Sequence, residues 1–150
     1  MKEILLIILL IIDSIYDIKT MHIPLKMLLV HLLLSVSAAV ITLLHNREHF
    51  CINLPVLPIF LFFVLFLAFL MKKNVLGEGD FILLILMSPV LGTYGFLLSL
   101  LFSFLLSGIV SGFLLFSKIK KGENRIPFVP FLTFGTIMYS LTNYFGGIVI

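Results

Sequence analysis

The sequence predicts an all-α, polytopic membrane protein of six transmembrane helices, the fourth of them short, with both termini outside the cell. Three observations predict it: composition, uncharged runs, and the placement of basic residues. Of the 150 residues, 61% are hydrophobic and 11% are charged, and the mean hydropathy is +1.27. A soluble domain averages about 25% charged residues, so this balance excludes a water-soluble fold. Met27–Leu44 has no charge apart from one available to His31, and Leu54–Met71, Phe81–Ser117 and Ile126–Ile150 have none. A bilayer core of about 30 Å takes about 20 helical residues. The 37 residues of Phe81–Ser117 are therefore too many for one span and enough for two.

Taken in order, Ile4–Ile12 has the look of a secretory signal's apolar region. No A-x-A-like cleavage site follows it; Asp13 and Asp17 do, so it reads as a retained first span. The remaining spans fall at about 25–44, 54–71, 81–91, 94–116 and 127–148, with Gly92-Thr93-Tyr94-Gly95 as the turn after the short fourth. No polar linker interrupts them, so residues 1–150 make a single membrane-embedded domain. The lone cysteine, Cys51, leaves no disulfide framework and no cysteine-based zinc site within the chain.

Basic residues concentrate on cytoplasmic loops. With six spans, the loops 18–26, 72–80 and 117–126 share one side. They hold Lys19, Lys26, Lys72, Lys73, Lys118, Lys120, Lys121 and Arg125, eight of the ten basic residues. The other side receives Lys2 and Arg47. The three basic loops are thus expected in the cytoplasm of a multi-pass cell-membrane protein. The net charge of +3 is anchoring of this kind and points to the lipid bilayer, not to nucleic acid.

An ionisable residue inside a span costs about 2.5–3.5 kcal/mol on insertion scales and is a functional candidate for that reason. Asp13, Asp17 and Asp80 qualify. Asp13 and Asp17 are four apart and share a helix face. Asp17 closes the first span, and Asp80 opens the fourth on the same membrane side, in Gly77-Glu78-Gly79-Asp80. Two carboxylates at one depth can converge on one water. Close carboxylates cannot both ionise cheaply, so the pair holds one shared proton. The ionised member takes a proton from the attacking water, while its protonated partner serves the carbonyl oxygen. Gly77 and Gly79 are expected to free the backbone before the fourth helix and to let a substrate strand come close. Asp80 also suits the positive end of a helix dipole, which on its own would make it a simple cap.

These stretches resemble the type IV prepilin peptidases and their preflagellin relatives, within the GxGD membrane aspartyl proteases. Asp17-Ile18-Lys19-Thr20-Met21-His22-Ile23-Pro24 looks like the family's D-[LI]-[KR]-x-x-x-[IL]-P. Gly77-Glu78-Gly79-Asp80 looks like GxGD, and Ile126-Pro127-Phe128-Val129-Pro130-Phe131-Leu132 is similar to I-P-F-x-P-[FA]-L. The three stand in the family's order, each on a basic loop. The resemblance implies that Asp17 and Asp80 are catalytic, with Lys19, Pro24, Gly77, Glu78, Gly79, Pro127 and Pro130 binding substrate or shaping loops. It implies cleavage of a short basic leader from prepilin-like precursors, after a glycine, with no cofactor and no metal. Larger members that also N-methylate the product carry a cytoplasmic extension, often with paired CxxC; this sequence has neither, so cleavage without methylation is expected. Two positions depart from the pattern. Ile82 stands where the family usually has Lys, which removes a positive charge from the site, and Val129 stands where a small residue is common.

Other candidates read more plainly. Asp13 is a possible accessory carboxylate, more in keeping with a hydrogen bond inside the bundle. The same holds for His31, within the second span. Glu78 reads as loop polarity, His22 as an interfacial residue, and His45 with His49 as surface loop despite their i, i+4 spacing. A small transporter using buried aspartates, or a non-catalytic assembly factor, is the alternative. Neither requires the I-P-F-x-P stretch.

Overall fold

The computed structural model of the protein describes residues 2–45, 78–116 and 127–149. These form the helices α1 (Lys2–Thr20), α2 (Leu25–His45), α3 (Glu78–Phe116) and α4 (Val129–Val149), and no strand is found among the described residues. The predicted third span at 54–71, the loop 117–126, and Gly77 lie outside the described residues. Four helices are thus seen among the described residues.

α1 is longer than the apolar run Ile4–Ile12. It continues to Thr20, three residues past the expected close at Asp17, so Asp13 and Asp17 both lie within the helix. Its buried residues are Leu6, Leu10, Asp13, Ser14 and Asp17, a three-and-four spacing that marks one helix face. The carboxylates thus share the inward face with the leucines. α1 closes at Thr20, whose hydroxyl lies 2.9 Å from the carbonyls of both Tyr16 and His22. The chain turns at Met21, which has a φ of 55°, and Pro24 starts α2 by accepting the amide of Met27 at 2.9 Å.

α2 and residues 79–114 of α3 are long and apolar enough to cross a membrane. In each, the 18-residue window that meets this test is only 17% buried inside the molecule. Leu25, Leu33 and Leu44 are each more than 70% exposed. A soluble protein hides such helices; these turn their leucines outward, as a lipid-facing helix does.

α3 covers the predicted short fourth span and the predicted fifth as two arms, 78–91 and 93–116. They meet at Gly92, where φ is 72° and ψ is 174°. The positive φ is where glycine has no Cβ penalty, and Pro89, three residues earlier, already lacks an amide for the helical ladder. The break is confined to Gly92, narrower than the four-residue turn expected from the sequence; Thr93, Tyr94 and Gly95 are helical. Contacts at its ends show how far α3 bends. Gly79 packs on Ile23 of the α1–α2 turn, while Phe104 meets Phe128, just before α4, with ring centroids 5.5 Å apart. A straight helix would separate residues 79 and 104 by about 38 Å. Both instead lie at the Asp17 end of the bundle, so the first arm climbs away from that end and the second returns.

The second arm runs antiparallel to α4, and glycines set how close they come. A Cβ on Gly135 would collide with the Ser99 carbonyl and with Ser103. A Cβ on Gly95 would collide with the Tyr139 ring. Around this contact the core gathers Leu6, Leu10, Leu83, Met87, Phe96, Val129 and Leu132, all nearly fully buried.

Candidate active site

Asp17 sits at the point where α1 meets the start of α4. Its Oδ2 accepts the backbone N–H of Val129 at 3.1 Å, and the Phe128 amide faces the same carboxylate. The first amides of a helix have no partner within it and carry the positive end of its dipole. Asp17 supplies that partner from another helix, so it caps α4. Pro127 and Pro130 flank this cap; the first precedes α4 and the second lies in its opening turn. A proline costs nothing there, because no intrahelical bond needs its missing amide. Val129 itself is fully buried, and it is the backbone amide, not the side-chain size, that engages the carboxylate.

One turn deeper, α1 and α4 are joined by hydroxyls. Ser14 Oγ lies 2.8 Å from the Leu10 carbonyl and 2.6 Å from Thr133 Oγ1. Thr133 Oγ1 in turn lies 3.1 Å from the Leu10 carbonyl and 2.9 Å from that of Val129. These hydroxyls share their two protons among carbonyl acceptors and each other, which leaves none for Asp13.

Asp80 stands in the first turn of α3 and is partly buried. The neighbouring Gly79 places its Cα against Ile23; a Cβ there would lie 3.3 Å from Ile23 Cβ. Gly79 is helical, and no positive φ occurs there. The close approach of Ile23, not backbone freedom, is therefore what its missing side chain allows. Glu78 opens the helix and does not belong to a loop. Through these contacts the α1–α2 turn, the start of α3 and the start of α4 meet at one end of the bundle, bringing Asp17 and Asp80 to the same end. Ile82 is 43% exposed, so the uncharged side chain opens outward beside that site.

The remaining candidates divide. Lys19 lies in the last turn of α1 and is exposed, and Pro24 starts α2. His22 is exposed, its Nδ1 against the Met21 carbonyl. His31 is 1% exposed, with Nδ1 3.1 Å from the Met27 carbonyl. Asp13 is fully buried and makes no hydrogen bond among the described residues, contrary to the bundle hydrogen bond expected of it. His31 approaches it from α2, with Nδ1 3.5 Å from Oδ2. Among the described residues no cluster of acidic, histidine or cysteine side chains suits a metal ion.

Sequence reasoning missed the Val129 amide, the Ser14–Thr133 link and the approach of His31 to Asp13. The i, i+4 placement of Asp13 and Asp17 was the signal for a polar inner face on α1. Nothing local named its partners.

The sequence pattern of the type IV leader peptidase family matches residues 4–112, a stretch holding both aspartates and the glycines between them. Comparison with the curated proteins gave no match, and comparison with solved structures gave none.

Proposed function

The chain belongs to the type IV leader peptidase family, a family of aspartic peptidases in the membrane, and from that premise we propose that it is a prepilin leader peptidase. In this reading it cuts the short basic leader from pilin, pseudopilin or flagellin-like precursors at the cytoplasmic face, using Asp17 and Asp80. The observation that supports it best is the environment of Asp17. A carboxylate on the buried face of α1, 4% exposed, accepts the first amide of α4 with one oxygen at the end of the bundle where α3 brings Asp80.

The chemistry follows from a pair sharing one proton. The Val129 amide fixes the Asp17 carboxylate, since an N–H donor favours an acceptor that is held still. The ionised aspartate removes a proton from water as the oxygen attacks the scissile carbonyl, and the protonated partner hydrogen-bonds the carbonyl oxygen. Collapse of the tetrahedral species returns that proton to the leaving amine. Sequence and geometry leave the order of the two aspartates symmetric, because a coupled pair titrates as a unit. The six-span arrangement belongs to this proposal as well. It places Lys19 and the basic loops on the cytoplasmic side by charge asymmetry, with the precursor's apolar helix left in the bilayer.

Asp17 caps a helix, so alanine there confounds loss of chemistry with loss of structure. Asparagine separates them, because it is as good an acceptor at a helix N-terminus as aspartate yet cannot take the proton. In cells co-expressing a prepilin, Asp17→Asn and Asp80→Asn are expected to insert in the membrane at wild-type levels and to leave the leader uncut. Leader removal at the wild-type rate by either variant sinks the proposal.

A further inference from the structure

We infer that Asp13 and His31 are a positioning pair for Asp17: they hold the catalytic turn of α1 against α2 and so set where the Asp17 carboxylate stands. This rests on the reading of Asp17 as catalytic.

The pair has no place in the hydrolysis itself. Asp13 is fully buried and His31 is 1% exposed, and ionisable groups are expensive at such sites in a membrane. The other residues these helices bury, Asp17 aside, carry no ionisable group: Leu6, Leu10 and Ser14 on α1, Ser35 and Ala38 on α2. A seam built for stability alone needs nothing else, since well-packed apolar residues match or exceed a buried ion pair.

The geometry indicates what the pair does. The Met27 carbonyl can only accept, so the His31 Nδ1 at 3.1 Å carries a proton and donates it. The same N–H faces Asp13 Oδ2 at 3.5 Å, outside the usual hydrogen-bond range of about 2.7–3.2 Å. Among the described residues, both Asp13 oxygens and His31 Nε2 are left without a hydrogen-bond partner. The bond to Met27 fixes the ring on α2, and the ring in turn faces the Asp13 carboxyl of α1. Asp17 follows Asp13 by one turn on the same face. A rigid helix carries any shift of Asp13 to Asp17, while the Val129 amide holds Asp17 from the other side. The carboxylate is thus located by two helices, α4 directly and α2 through Asp13.

The test uses the full chain in proteoliposomes with a purified prepilin, reading kcat and KM per unit of correctly inserted, heat-stable enzyme. Asp13→Asn and His31→Leu are each expected to lower kcat by about tenfold to a hundredfold, the range for a small misplacement of a reacting group, with KM nearly unchanged. Exchanging the two residues (Asp13→His with His31→Asp) is expected to recover most of that loss. Wild-type kcat in the single variants, losses confined to the amount of heat-stable enzyme, or an exchange that restores nothing each overturns the inference. Asp17→Asn run in parallel separates the two readings. If it cleaves normally, the catalytic Asp17 and this inference fall together. If it is inactive while Asp13→Asn and His31→Leu are normal, the pair alone falls.

Discussion

α4 and α2 grip the same bundle by opposite means. α4 approaches so closely that Gly135 leaves no room for a methyl group beside the Ser99 carbonyl. It is also tied through Thr133 to Leu10 and through the Val129 amide to Asp17. α2 turns much of its surface outward, with Leu25, Leu33 and Leu44 more than 70% exposed, and meets α1's charged face through His31 alone among the described residues. The lesson lies in how each seam spends its polar atoms. Without water, helices in lipid associate through close packing and interhelical hydrogen bonds, and the α4 seams use both. Toward α1, the α2 side offers the approach of His31 to Asp13. α4 holds Asp17 directly, and α2 reaches the same helix one turn away, at Asp13.

The hardest blow to that contrast is Gly135→Val. The new side chain meets a backbone carbonyl of α3, which cannot swing aside as a side-chain tip does. Overpacking of this kind costs about 1–3 kcal/mol and sometimes more, so the variant is expected to sit at the upper end. The measurement is the unfolding midpoint in detergent, with prepilin processing followed beside it. A midpoint equal to wild type would mean that α3 and α4 are free to separate, and the contrast would lose its meaning.

Much of this was legible in the residues, and the reasons are physical. Uncharged runs gave α2 at 25–44 almost to its observed ends, Leu25–His45, because lipid demands helix wherever charge is absent. Gly92 was legible as a break for the same reason that it breaks: only glycine is at ease with its φ. The apolar run of α1 stops at Asp13, but its helix was legible as far as Asp17 and ends at Thr20. A carboxylate facing inward, toward other helices, need not end it. Asp17 and Asp80 were legible as acids in the wrong solvent. The Val129 amide was not, since a backbone donor has no side-chain signature. Gly79 was noticed for the wrong property, its freedom instead of the space it leaves for Ile23. Asp13 and His31, 18 positions apart by their numbers, lie on separate helices, and only the packing of α1 on α2 brings them together.

A smaller effect is expected one turn from Asp17. Thr133→Val keeps the shape of the side chain and removes the hydroxyl that reaches Leu10 and Val129. Ser14 still has the Leu10 carbonyl as an acceptor at 2.8 Å, so the seam loses one donor and strands no charge. Hydrogen bonds between membrane helices average about 0.6 kcal/mol, and a loss of that order in the same unfolding measurement is the expected result. A loss several times larger would place the grip of α4 in this hydroxyl cluster instead of in the glycine contact.

The smallest effect belongs on α2, at Leu33, which is 72% exposed. Removing a core leucine usually costs about 2–5 kcal/mol, because it leaves a cavity and loses its packing partners. Leu33 has most of its surface clear of the protein, and in a bilayer lipid would fill the space that a shorter side chain leaves. Leu33→Ala is therefore expected to change stability by no more than about 0.5 kcal/mol and to leave prepilin processing intact. A core-sized loss would show that another surface covers this face of α2, whether from the same chain or from a second copy. α2 would then be clamped from outside, and the exposure that distinguishes it from α4 would be gone.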